Sequence, residues 1–486
     1  MSVGPIVETF NGAAIALPEA TTVEALQQVL RGGRVVALFG VGEAPDAGLI
    51  AVVADDANGR LRVARARAQG HAFPSLTPER TAVHLFEREV WEQTGLAPEG
   101  HPWLKPVRFT RPGDVIGVMD YFRVEGESVH EVGVGPVHAG IIEPGHFRFQ
   151  CHGETVFHLE ISLGYQHRGV ERAMVRGPIK RRLHLAETLA GDTTIGHATA
   201  HCEAIEALAG AKVPARAQAL RAIALELERL ANHVGDLGAL AGDVAFLPTA
   251  SFCGRVRGDF LNLTASLCGS RLGRAMVRPG GVGFDVTPQM VADLNARLDA
   301  AERDARGAVD LLWDTSSVMS RFEDTGVVAS AMAEEIGLVG VAARASGLHR
   351  DVRQDHPSGL YRMVHVPISV ADTGDVFARA RVRWLECVRS ITFVREQLAS
   401  LPEGAVRREV GDLRPERLVV AMVEGWRGEI AHVATTDAEG ALASYKVVDP
   451  SFHNWTGLAM ALRETAISDF PLCNKSFNLS YCGFDL

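Results

Sequence analysis

No two of the seven cysteines, scattered from Cys151 to Cys482, stand in a paired spacing. That argues against a disulfide framework or a Cys-rich cluster site and reads as reduced thiols in a cytosolic protein. No apolar run reaches the roughly 18 residues of a membrane span. The first 20 residues carry no basic region followed by an apolar run, so no secretory leader is expected. Basic charge is short as well: a net charge of −10 argues against non-specific nucleic-acid binding, which needs a basic surface. Repeats and low-complexity segments are absent. What remains is 486 residues with 47% apolar and 22% charged content, ordinary for a folded chain of two or three domains. If such a chain works at a membrane, partner subunits must anchor it.

The fold class expected is α+β. Residues 1–104 read as a small α+β domain. Val23, Leu26, Val29 and Leu30 have helical spacing before Gly32-Gly33. Arg34 to Phe39, Leu49 to Ala54 and Leu61 to Ala66 read as strands, the last two joined by the turn Asp55-Asp56-Ala57-Asn58-Gly59. A helix is predicted over Glu79 to Gln93. Residues 105–130, with Pro106, Pro112, Gly113 and Gly117, read as a linker. Residues 131–486 read as a large, mainly helical domain with peripheral hairpins. In the first hairpin Phe157, Leu159, Ile161 and Leu163 alternate with His158, Glu160 and Ser162, a period of two with one face buried. Long helices are predicted after Pro214, over Val256 to Ala275, Met290 to Trp313 and Val376 to Leu398. Leu418 to Val448 reads as a strand pair around Glu424-Gly425-Trp426-Arg427-Gly428-Glu429.

Histidines crowd one stretch: His138, His146, His152, His158, His167, His184, His197 and His201 are eight of the 18. That density points to a proton-handling or ligand-binding site. His197 and His201 stand four apart, on one helical face. They could meet one metal, with Asp192, Glu203 or His167 as a third ligand. Cavity-lining polar residues are the simpler reading, and no metal is assigned to them or to Glu171.

Three blocks in this stretch, Gly135-Pro136-Val137-His138 through Phe149, His167-Arg168-Gly169-Val170-Glu171, and Ala190-Gly191-Asp192-Thr193 through His201, resemble the large-subunit family of nickel–iron hydrogenases. That family includes the quinone-site subunit of respiratory complex I (NADH-quinone oxidoreductase). The energy-converting, formate-hydrogenlyase-like branch is the nearest in pattern. Arg278-Pro279-Gly280-Gly281, Arg344-Ala345-Ser346-Gly347 and Asp372 to Arg389 also resemble the quinone-site subunit. Glu87-Arg88-Glu89 through Leu96 resembles the closing motif of a second complex I component, a docking subunit often fused ahead of the quinone-site one. The resemblance implies that this piece clamps neighbouring subunits, so removal of Met1 to Leu104 is expected to leave a folded core.

The resemblance also implies where a nickel–iron pair would be held by four thiolates. Counting from Glu171, the first two positions fall on Ala190 and Thr193; at the other end Cys473 and Cys482 do not form a pair. No nickel–iron centre is therefore expected. Glu171 falls at a magnesium-ligand or proton-exit position. His138 falls in the quinone-site loop and His201 at a position implied to bond a quinone head group. The implied function is that of an oxidoreductase subunit, of NADH-quinone oxidoreductase or hydrogenase-like type, active in its assembled complex. His138, His167, Glu171, His197 and His201 are expected to share one pocket and carry the proton chemistry. Pro144, His146, Ala190, Asp192, Thr193 and Cys482 are expected to line the acceptor cavity. The chain itself would bind no cofactor. A small iron–sulfur subunit, like the one in complex I, would hold the cluster as partner, and a quinone would be the acceptor. A ferredoxin-like subunit and antiporter-like membrane subunits would complete the complex, holding this chain at the inner face of the cytoplasmic membrane. An inactive scaffold and a true nickel–iron hydrogenase are the alternatives.

Overall fold

The computed structural model describes residues 4–138 and 142–486. Near the N-terminus, strands Ile6–Thr9, Arg60–Arg67, Gly48–Asp55 and Arg34–Val41 form a sheet in that order, with Ala20–Thr21 parallel to Arg60–Arg67. The predicted turn pairs Asp55 with Arg60, and Gly59 adopts the left-handed φ of 62° that the turn requires. The helix Val23–Arg31 lays Val23, Leu26, Val29 and Leu30 on this sheet, with the Thr22 hydroxyl capping Ala25 N.

The helix His84–Thr94 corrects the reading of the Glu-Arg-Glu run. Glu87, Glu89 and Glu92 are buried against this same chain and do not present a docking face. Glu87 accepts from Ser75, Thr77 and Leu76 N; Glu89 binds Lys446 Nζ at 2.6 Å and the Arg108 guanidinium; Glu92 accepts from Arg108 N at 2.9 Å. The end of the N-terminal region is thus fastened to the C-terminal sheet.

Residues 105–130 form an extended strap anchored at its start by the buried Val107, Arg108 and Phe109. Arg108 is buried and donates to Phe484 O at 2.7 and 3.0 Å. Lys105 pairs with Glu160 at 2.7 Å, and Trp103 and Phe122 pack on His158. The strap therefore covers the polar side of the strand Thr155–Ser162, so His158, Glu160 and Ser162 are buried while Phe157 is exposed. The alternation expected to leave one face wet fails for that reason. The sheet itself forms as expected: His152 pairs with Thr155 across the turn, and Val129–Val134 adds a third strand.

The helices Ala215–Asp243, Leu247–Cys268, Pro288–Trp313 and Val376–Ala399 pack as a bundle. Among the described residues no helix is long and apolar enough to cross a membrane. The C-terminal region holds three strands, not two: Arg417–Glu424, Glu429–Thr436 and Leu442–Val448, with Ile15–Ala16 from the far N-terminus pairing at the edge. Every residue of Glu429–Thr436 is buried. The helix Thr194–Ala209, which carries the two histidines, packs across Arg417–Glu424 and Glu429–Thr436.

Candidate functional site

The four-residue spacing turns His197 and His201 to one side of their helix, where side chains from the C-terminal strands meet them. His197 Nε2 lies 3.0 Å from Asp449 Oδ2, and its Nδ1 lies 3.1 Å from His432 Nε2. His432 Nδ1 lies 2.8 Å from the Tyr445 hydroxyl, which also lies 2.8 Å from His201 Nδ1. All five side chains are buried. Burial pushes His201 down to about 4, helped by Arg182, and holds His432 far below the ordinary imidazole range. Burial also pushes Asp449 up, but the His197 hydrogen bond and the Arg427 charge outweigh it and keep the carboxyl ionised. Both ring nitrogens of His197 are engaged, which leaves no lone pair for a metal. Among the described residues no group of three or more His, Cys, Asp or Glu could hold a metal ion.

Beside Asp449 is the loop from Glu424 to Glu429. Arg427 forms a two-pronged ion pair with Asp192, at 2.6 and 2.7 Å. Arg427 also donates to Thr193 Oγ1 at 3.1 Å and to Asn478 O at 2.6 Å, and stacks 3.9 Å over Trp426. Trp426 Nε1 reaches Asp192 O and Thr193 Oγ1, both at 3.1 Å. The Arg427 side chain is only 5% exposed, whereas that of Asp192 is 35% exposed, so the carboxylate forms the outer lip. Gly340, at φ 63°, packs directly on the Arg427 carbonyl and leaves no room for a Cβ there. Ala190 is fully buried and Cys482 half-buried. Burial, then the nearby Glu143, pushes the Cys482 thiol up to about 11. Arg168 ties this rim together, donating to Thr188 O, Leu189 O and Cys482 O.

His138 stands apart from the buried histidines. Its Nε2 is 3.4 Å from the Tyr481 hydroxyl, and its ring packs on Phe147. Pro144 lies half-buried in the following loop, and His146 opens the strand against Tyr121. His167 and Glu171 line a polar cleft of about 510 Å³ between the N-terminal region and the helix Val170–Arg176. His167 Nδ1 is 2.7 Å from Asp485 O. Glu171 binds Lys446 at 3.0 Å and accepts from Val447 N.

The five residues expected in one pocket therefore divide. His197 and His201 sit in the buried chain, His167 and Glu171 in the cleft, and His138 at Tyr481. His201 is buried and is joined to the cleft through Tyr445, which lines it. Sequence reasoning missed His432, Tyr445, Asp449 and Arg427, more than 200 residues downstream of their partners in the helix region. The Glu424–Glu429 run, which reads locally as no more than a strand connection, is the signal that could have found Arg427.

Glu228 supports the site from below, accepting from Ile195 N at 2.6 Å and Gly196 N at 3.1 Å. Burial pushes it up to about 8 despite those donors. A carboxyl raised this way binds a proton in the folded state that the unfolded chain gives up at about 4.3. Relative to Glu228→Gln, the native chain should lose stability as pH rises from about 4.3 towards 8, by a few kcal/mol at ~1.4 kcal/mol per pH unit. Thermal midpoints of both proteins across that range test this; parallel curves would refute it.

Known proteins share this chain's pattern over most of its length. The family model described as respiratory-chain NADH dehydrogenase, 49 Kd subunit, matches residues 243–416, and that of the 30 Kd subunit matches residues 20–118. The carbon monoxide-induced hydrogenase of Rhodospirillum rubrum is 31% identical over 352 residues, covering 72% of this chain and 98% of that protein. Formate hydrogenlyase subunit 5 of Escherichia coli is 29% identical over 437 residues, covering 84% of this chain and 76% of that one. The fused C/D chain of NADH-quinone oxidoreductase from Bdellovibrio bacteriovorus is 24% identical over 440 residues, covering 81% and 77%. The chain belongs to the family that unites nickel–iron hydrogenase large subunits with the 49 Kd subunit of complex I, in its energy-converting branch, with a region like the 30 Kd subunit fused ahead.

Proposed function

We propose that this chain is the electron-transfer subunit of a membrane-associated complex, reducing a small acceptor such as a quinone at the Asp192–Arg427 rim without a nickel–iron centre. The observation that carries this reading is the ion pair itself. Asp192 lies between Ala190 and Thr193, the positions where the resemblance puts the first thiolate pair, and Arg427 bonds both Asp192 and Thr193, so the two offer a charged lip there, open on the Asp192 side. The donor set does not fit a thiolate-held metal pair. Ala190 has no donor atom, Thr193 Oγ1 is taken by Trp426 and Arg427, and Cys482 is held as a neutral thiol. A guanidinium beside a carbonyl oxygen that gains electrons stabilises the developing charge.

On this reading a small partner subunit holds the iron–sulfur cluster at the rim. Ferredoxin-like and antiporter-like subunits supply electrons and the membrane anchor. The burial of Arg427, only 5% exposed, favours the alternative, a scaffold whose cavity has been filled in. Purified complex carrying Arg427→Gln separates the two readings. Acceptor reduction should fall roughly 100-fold with assembly intact, and elemental analysis of the native complex should find no stoichiometric nickel. Unchanged turnover would leave the scaffold; stoichiometric nickel would restore a hydrogenase.

A further inference from the structure

Tyr445 belongs to two features at once. It lines the polar cleft that holds His167 and Glu171, and its hydroxyl bonds both His432 and His201 in the buried chain. The other end of that chain, Asp449, carries its charge beside Arg427 and Asp192, affecting the ionisation of both. We infer that Tyr445, His432 and His197 conduct protons from the cleft to Asp449, behind the rim, with His201 positioning the tyrosine hydroxyl. This rests on the acceptor reading above.

With His197 and His432 neutral, the hydrogen-bond pattern allows one polarity. An ionised carboxylate only accepts, and a neutral imidazole has one donor and one acceptor nitrogen. Asp449 Oδ2 therefore accepts from His197 Nε2, which makes His197 Nδ1 an acceptor for His432 Nε2. His432 Nδ1 then accepts the Tyr445 hydroxyl hydrogen, and the Tyr445 oxygen accepts from His201 Nδ1. Each hydrogen in the chain points toward Asp449, with no conflict at any atom. A core network that merely satisfied its polar groups would not need one end beside a polar cleft and the other at a charged rim.

The transfer balances. A proton from cleft water bonds to the Tyr445 oxygen as the Tyr445 hydrogen passes to His432 Nδ1. The hydrogen on His432 Nε2 passes to His197 Nδ1, and that on His197 Nε2 passes to Asp449. Three bonds in the chain break and four form, the fourth being the incoming proton. The net change is one proton taken from the cleft and one carboxylate neutralised; no electrons move. The partner's cluster supplies the electrons, and a quinone takes two of them with two protons, one per pass of the chain, His432 and His197 each returning a hydrogen from Nδ1 to Nε2 before the next pass. Asp449 returns to its carboxylate by giving its proton to the reduced acceptor.

Two measurements test this. In the isolated chain with 15N-labelled histidine, His197 and His432 should be neutral and protonated on Nε2, and His201 on Nδ1. Tyr445→Phe should move the His201 proton to Nε2. A cationic ring, or His432 protonated on Nδ1, would overturn the polarity. In the assembled complex, with a short-chain benzoquinone as acceptor, Tyr445→Phe and His432→Gln should each lower turnover by roughly 100-fold, the lower range for positioned proton transfer. The native rate should fall in D2O. Thr199→Val, on the same helix but lining a separate cavity, should leave turnover unchanged. Native turnover in both chain variants would overturn the conductor. A native complex that reduces no quinone would instead remove the acceptor reading, and the labelled histidines would still decide the chain.

Discussion

A chain lacking residues 1–104 should fail to yield a soluble, folded protein. The sequence alone predicts the reverse, a core that folds and merely loses its partners. The packing decides against it. Phe86 lies edge-on to Phe452 and His453 at 5.0 and 5.5 Å, so its removal opens a hole beside the C-terminal helix. Asn11 bonds the Met422 amide and carbonyl and the His356 carbonyl, completing a sheet edge that Ile15–Ala16 also pairs. Lys446, 2% exposed, loses Glu89, and Glu429, 4% exposed, loses Arg34 at 2.7 Å. Breaking a buried pair by removing one partner costs about 3–5 kcal/mol. Two such losses already rival the ~5–15 kcal/mol that holds a domain together. Expression of residues 105–486 followed by circular dichroism checks this; a cooperative melt would show that the core stands alone. The single variant Glu89→Gln grades the effect: Lys446 keeps Glu171, so the chain should fold with a lowered midpoint.

Glu89 also marks what sequence alone could and could not reveal. Local periodicity found the strands Arg34–Val41 and Arg60–Arg67 and the helices Pro288–Trp313 and Val376–Ala399 to within a few residues, because burial on one face leaves a repeating trace. The same rule misjudged Glu160. A charge on a helix or strand reads as solvated unless its partner is known, and Lys446 and Lys105 are invisible from the local window. The site followed the same division. Spacing placed His197 and His201 on one face correctly, but their neighbours His432 and Tyr445 lie on strands, and Asp449 just beyond one, whose register no local pattern encodes. The resemblance to the quinone-site loop puts His138 in the same pocket, whereas here its ring meets Tyr481 and Phe147.

The largest effect of a single substitution should come from Glu386→Gln. Glu386 Oε1 lies 3.0 and 2.8 Å from Arg344 Nε and Nη2, and Oε2 lies 2.8 Å from His233 Nε2 and 3.6 Å from Arg229 Nη1. All four side chains are fully buried. Burial alone would push this carboxyl up, yet the surrounding cations, Arg344 first, hold it well below the ordinary range. The acid is therefore a fixed anion on which two guanidinium groups depend. Its neutral amide keeps the shape but takes one negative charge out of the cluster, leaving Arg229 with Glu226 at 3.0 Å and Arg344 with Glu424 at 2.7 Å. A loss of about 3–5 kcal/mol follows. The consequence reaches the rim. Arg229 donates to Glu424 O at 2.6 Å and Gly425 O at 2.9 Å, the carbonyls that start the loop bearing Arg427. In Glu386→Gln, amide exchange at Gly425 and Gly428 should quicken beyond the global loss, and acceptor reduction should fall with it. The pH dependence has a definite sign. Glu386 is depressed in the folded state, so its contribution is present above the unfolded value of about 4.3 and is lost as pH falls below it. Denaturant unfolding at neutral pH should separate the native chain and the variant clearly, and the gap should narrow in acid. A gap that stayed constant down to strongly acidic pH would show that shape, not charge, is what Glu386 supplies.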